Sequence, residues 1–98
     1  MNDIVDSTQT LGVLIRATRM AQGLTRDELA HATGLSPKFI SQIEAGKTTA
    51  QFGKVLELLG ELGIKLHAEP STPIPPEIAT AATRRRRASS KTSADQPR

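Results

Sequence analysis

Residues 24–47 read LTRDELAHATGLSPKFISQIEAGK, and this stretch decides the fold. Thr25, followed by Glu28 three positions on, makes a capping box, in which each side chain accepts the other residue's backbone N–H at a helix start. The helix it opens runs through Leu29-Ala30-His31-Ala32 and gives way at Gly34, a turn residue. Ser36-Pro37 then starts a second helix. Serine serves as N-cap, and proline takes the first helical position, where its missing N–H would have no intrahelical partner anyway. That helix continues Lys38-Phe39-Ile40-Ser41-Gln42-Ile43-Glu44 and ends at Gly46. Ile40 and Ile43 are spaced to face a core.

Further helices are expected on each side. Upstream, Leu11, Leu14, Ile15 and Thr18 recur at helical spacing, so a helix begins at Ser7 or Thr8 and stops at Gly23. Arg16 and Arg19 project from another part of it. Downstream, Thr48 or Thr49 is expected to cap a fourth helix with an apolar stripe of Phe52, Val55, Leu56, Leu59 and Leu62, weakened at Gly60 and ended at Gly63. Ile64-Lys65-Leu66-His67-Ala68-Glu69 alternates apolar and polar, the period of a half-buried strand, and Pro70 closes it. The predicted core is Leu11, Leu14, Leu29, Ile40, Ile43, Val55 and Leu59. Two capped helices across a tight turn, flanked by others, form a helix-turn-helix, which presents its second helix to the major groove of DNA.

The fold class expected is all-α: four helices, a short C-terminal β-strand pairing across a dimer, and a disordered tail. The corresponding parts are a flexible arm over 1–7, a DNA-binding and dimerisation domain over 8–70, and a basic tail over 71–98.

Composition excludes several functions. The 98 residues suffice for one small domain. There is no cysteine, so disulfides and thiolate metal sites are ruled out, and His31 and His67 lie far apart with no ligand spacing near either. No metal or other cofactor is expected. No set of nucleophile, base and orienter can be assembled, so the protein is not expected to be an enzyme; Asp27 and Glu28 are explained by capping. No apolar run approaches the roughly 20 residues of a membrane span. MNDIVDSTQT lacks the features of a secretory signal, which leads to a cytoplasmic, nucleoid-associated location.

The net charge of +3 is unevenly placed. Residues 1–70 hold seven Lys/Arg and eight Asp/Glu, a net of −1, whereas residues 71–98 hold six and two, a net of +4. DNA binding by the body must therefore come from where its charges sit. The tail is rich in Pro, Thr, Ala, Ser and Arg and carries only Ile74 and Ile78 as large apolar residues, too few to offset the entropy of ordering. A transient helix is expected from Glu77 to Arg87. Arg84-Arg85-Arg86-Arg87 reads as a solvated extension, as a nonspecific attraction for DNA, or as a dock for an acidic protein surface.

The stretch LGVLIRATRMAQGLTRDELAHATGLSPKFISQIEAGKTT resembles the lambda-repressor-like (XRE/Cro) DNA-binding family. Arg19, Gly23-Leu24-Thr25, Glu28-Leu29-Ala30, Gly34-Leu35-Ser36, Ile40-Ser41 and Ile43-Glu44-Ala45-Gly46-Lys47 carry the likeness, which spans residues 11–62. A helix ending near Leu62 and followed directly by a strand is similar, more narrowly, to the HipB-type antitoxins. The helix lengths and the loop at 47–50 depart somewhat from that pattern.

The resemblance implies that Pro37, Lys38, Ser41 and Gln42 face the bases. Lysine suits guanine O6 and N7, and glutamine suits an adenine edge. Pro37 stands where the family often has a polar reader. The resemblance further implies backbone contacts from Arg16, Arg19, Thr25, Arg26, Ser36, Phe39, Lys47 and Thr48. Where this chain has Arg26 the family usually has glutamine, which puts its usual amide bridge in doubt. Glu44 is expected to be a partner within the domain, of Arg19.

A lone strand is unstable in water, and the same strand of a second copy is its simplest partner, with Ile64, Leu66 and Ala68 on the pairing face. The resemblance thus implies a homodimer on palindromic double-stranded operator DNA, acting as a repressor of its own operon and the antitoxin of a HipA-like kinase toxin. Two other functions fit the residues: a stand-alone regulator of the same family, and a protein-interaction module that no longer reads DNA.

Overall fold

The computed structural model describes residues 4–93, with side chains described through Arg84. Residues 1–3 of the expected arm, residues 94–98 of the expected tail, and the side chains of Arg85–Arg87 lie outside the described residues. Among the described residues five helices follow one another: α1 Thr8–Ala21, α2 Arg26–Thr33, α3 Pro37–Glu44, α4 Phe52–Leu62 and α5 Pro76–Ser93. The chain divides into two units, Met1–Leu66 and His67–Arg98.

In the first unit the caps fall where local chemistry demands. Ser7 caps α1 in a capping box with Thr10, Thr25 caps α2 in one with Glu28, and Ser36 caps α3 with Pro37 behind it. Each such cap contributes about 1 kcal/mol. The core joins Ile15 of α1, Leu29 and Ala30 of α2, Ile40 and Ile43 of α3, and Val55, Leu58, Leu59 and Leu62 of α4. Burial of each large side chain there supplies roughly 1.5–3 kcal/mol.

Several expectations are corrected. Neither Thr48 nor Thr49 starts α4; both are exposed in the preceding loop, and Gln51 is the N-cap, without a side-chain bond. The buried stripe of α4 is Val55, Leu58, Leu59 and Leu62, a run at i, i+3, i+4 and i+7. Phe52 and Leu56, placed in the stripe by the sequence reading, are 65% and 44% exposed. Leu11 and Leu14 are half-buried, and Leu11 packs on the margin of the core.

The segment after α4 is not a strand, and none occurs among the described residues. Gly63 adopts φ 77°, which a glycine takes without strain, and its N–H reaches the Gly60 carbonyl while that of Ile64 reaches Leu59. This helix-terminating motif draws Ile64 onto the core, while Leu66 is 49% exposed and Ala68 is also exposed. A single strand finds no ladder partner within one chain.

In the second unit α5 occupies residues for which disorder, with a transient helix over Glu77–Arg87, is expected. It starts at Pro76, with the N–H groups of Ile78 and Ala79 on the Pro75 carbonyl, and Glu77 sits in its first turn. Proline at the first position and an alanine-rich opening favour the helix locally. Ile74 and Ile78 are more than half exposed.

Candidate nucleic-acid interface

The turn between α2 and α3 is set by Gly34, at φ 78°, whose N–H closes on the Ala30 carbonyl. Thr33 reinforces it, its hydroxyl donating to the Leu29 carbonyl and accepting the Leu35 N–H. These bonds fix the angle at which α3 leaves the domain.

Helix α1 holds α3 from behind. Gly12 lies so close that a Cβ there would sit 2.6 Å from the carbonyl oxygens of both Ile43 and Glu44. The Thr8 hydroxyl donates to the Gly46 carbonyl at 2.8 Å, just past the end of α3. At the other end of α1, Gln22 Nε2 donates to the Leu62 carbonyl at 2.8 Å, at the end of α4.

An ionic cluster ties α1, α2 and α3 together. The Glu44 side chain, 2% exposed, accepts Arg19 Nε at 2.7 Å on Oε2 and Arg19 Nη2 at 3.1 Å on Oε1. Arg19 Nη1 donates to the Leu24 carbonyl at 2.8 Å. Arg26 Nε donates to Glu44 Oε1 at 3.0 Å, with its own side chain 41% exposed. The hydrogen bonds that Arg19 donates to Glu44 raise its pKa above the ordinary guanidinium value; burial opposes this, and the carboxylate charge adds to it.

The residues expected to meet bases are brought together on the outer side of α3. Pro37, Lys38 and Ser41 are exposed and share an open groove with Thr25 and Arg26. Gln42 is half-buried, and its Oε1 accepts Lys47 Nζ at 3.2 Å. The residues expected to meet the DNA backbone are distributed differently. Arg16, Lys47 and Thr48 are exposed. Thr25 and Ser36 spend their hydroxyls on the caps of α2 and α3. Phe39 is half-buried and packs on the core. Arg19 departs most from expectation. It is 8% exposed and bound inward, which leaves it the work of placing α3 rather than touching a ligand.

Lys54 escapes sequence reasoning. Its Nζ lies 5.9 Å from the centre of the Phe39 ring, and it lines a second groove with Ser36, Lys38 and Gln42. The only signal in the sequence is that Lys54 stands in the first turn of α4, off the apolar stripe. The arrangement as a whole is a projecting helix flanked by Arg26, Lys38, Lys47 and Lys54, with polar groups of hydrogen-bonding length between them. Such a surface can meet anionic backbone and base edges together.

Comparison with known proteins agrees. An HTH-type transcriptional regulator of Sinorhizobium fredii (strain NBRC 101917 / NGR234), y4mF, itself uncharacterized, is 48% identical over 56 residues, which cover 57% of this chain and 74% of that protein. Among solved structures, the HipA-HipB-O2-O3 complex and the HipB-O4 20mer complex each contain a similar chain. In both the identity is 20%, the TM-score 0.66, and the coverage 72% of this chain and 100% of the other. The restriction-modification controller protein C.AhdI from Aeromonas hydrophila is similar over 59% of this chain and 84% of its own, with 28% identity and a TM-score of 0.54. The pattern of the HTH_3 helix-turn-helix family matches residues 15–68. The chain therefore belongs to the HTH_3 family of lambda-repressor-like helix-turn-helix domains, which are DNA-binding regulators and not enzymes.

Proposed function

We propose that this protein is a transcriptional repressor that binds a palindromic operator as a homodimer. The carrying observation is the exposed face of α3, on which Pro37, Lys38, Ser41 and Gln42 stand beside Lys47 and Lys54 on a rigidly braced scaffold. Lys38 and Gln42 read bases, while Arg16, Arg26, Lys47, Thr48 and Lys54 hold the phosphates. Two copies place two such helices in successive major grooves, about 34 Å apart, and block polymerase. The second copy supplies the partner that the segment around Leu66 lacks. The protein works in the cytoplasm, at the nucleoid.

The finer part of the proposal is that the repressor is also the antitoxin of a HipA-like kinase. The likeness to HipB, which extends over the whole of that chain, supports it. A gel shift with the protein's own upstream region at low salt tests the repressor, and Lys38→Ala and Gln42→Ala must each weaken the shift. A purified protein that ignores those duplexes rejects DNA reading. Co-purification with a kinase encoded in the neighbouring reading frame tests the antitoxin role; absence of such a frame leaves the stand-alone regulator.

A further inference from the structure

Arg26 and Glu44 are joined in a way that points outward. Glu44 is sealed from solvent, yet it accepts bonds from two arginines of different helices. Arg19 is wholly engaged by Glu44 and the Leu24 carbonyl inside the domain. Arg26 touches the carboxylate through Nε alone, and no bond from its Nη1 or Nη2 to another described residue occurs. A guanidinium is planar, so anchoring Nε fixes the plane and leaves the Nη pair as a fork of fixed direction. That fork opens where Arg26 lines the groove shared with Lys38 and Ser41. One carboxylate between two guanidinium groups leaves the cluster with one surplus positive charge, and the more exposed partner, Arg26, carries it outward.

We infer that Glu44, itself out of reach of any ligand, is a positioning residue for DNA binding: it holds Arg26 so that its Nη edge grips one phosphodiester of the bound duplex in two-pronged fashion. This rests on the repressor reading above. Lysine could not do the same work. Its three donors sit on one freely rotating atom, so a bond to Glu44 fixes no plane and leaves no two-pronged edge matched to a phosphate.

The test is the salt dependence of binding, measured on full-length protein with a duplex of its own upstream region and with a scrambled duplex. Each phosphate neutralised contributes about 0.9 to the slope of log affinity against log salt. Arg26→Gln is expected to lower the slope by about 0.9, or about 3.5-fold in affinity change over a fourfold range of salt, equally on both duplexes. Arg26→Lys is expected to fall with Arg26→Gln, although it keeps the charge. Both variants are expected to keep the wild-type helical signal, because Arg19 still compensates Glu44 and the partly exposed Arg26 contributes little to folding. A wild-type slope in Arg26→Lys overturns the inference, because charge alone would then suffice; a wild-type slope in Arg26→Gln overturns it outright. Failure of the wild-type protein itself to bind at low salt sinks the repressor reading beneath it, a result distinct from either.

Discussion

Arg19 and Glu44 are 25 positions apart in the chain, and the Arg19 guanidinium meets the Glu44 carboxylate through two hydrogen bonds, the shorter 2.7 Å. The pair ties α1 to the last turn of α3. Removing one partner of such a pair leaves a buried charge without compensation. Glu44→Ala is therefore expected to destabilise the domain by about 3–5 kcal/mol, and Arg26→Ala by only about 0–1 kcal/mol, since the Arg26 side chain is partly exposed and screened by solvent and Glu44 keeps Arg19 as partner. Urea unfolding, with its midpoint and slope compared across the three proteins, checks the contrast.

The pH dependence of the Arg19 contact follows from the direction of its shift. A raised pKa in the folded state stabilises fully below the unfolded-state value and is lost only as pH rises through the folded one. Both lie in strongly alkaline solution, so the contribution from Arg19 should stay level from neutral pH to pH ~10. Unfolding free energies measured in that window for wild type and Arg19→Met should run parallel; a difference that shrinks with rising pH would contradict the prediction.

Gly12→Ala opposes two effects. Alanine favours a helix over glycine by about 1 kcal/mol. The added carbon, however, would meet two backbone carbonyls at 2.6 Å, and neither can step aside without moving α3. Overpacking of this kind costs about 1–3 kcal/mol, so the variant should melt below wild type despite its better helix former. Thermal unfolding followed by circular dichroism decides the sign.

Base readout and backbone grip should separate in binding assays. Lys38→Ala and Gln42→Ala are each expected to cost about 1–3 kcal/mol on the operator and to relax the choice of base at one position. Lys54→Ala should instead weaken operator and scrambled duplexes alike and lower the salt slope by about 0.9. Titrations across a set of single-base operator variants distinguish the two patterns.

The segment after α4 can be tested by charge. Leu66→Glu should abolish association if this part of the chain meets its own copy, with light scattering reporting the monomer mass where wild type reports the dimer. An unchanged mass would place the dimer contact elsewhere.

Much of this was legible in the sequence because it is local. Thr25 with Glu28, and Ser36 with Pro37, announce helix starts within four residues, and the structure has both. The start of α4 was not legible. Thr48 and Thr49 have the chemistry of caps, whereas the residue in the capping position, Gln51, uses no side-chain bond that a pattern could reveal. Val55, Leu59 and Leu62 were legible as the buried line of α4, but helical spacing alone does not decide whether Leu56 or Leu58 on its flanks turns inward. The Arg19–Glu44 pair was legible only through family likeness, since arginine is seldom buried and nothing local marks a contact over such a distance. Lys54 beside Phe39 is a purely tertiary juxtaposition, and no spacing within either helix encodes it.

The two hydroxyl and amide bonds at opposite ends of α1, from Thr8 to Gly46 and from Gln22 to Leu62, make that helix a splint. Each secures the fraying end of a different neighbour. Loosening either should therefore show first in amide hydrogen exchange at the far termini of α3 or α4, before the domain as a whole melts. Evolutionary drift at Thr8 or Gln22, neither of which lines the grooves, would then alter how firmly the recognition surface is presented without altering a single residue on it.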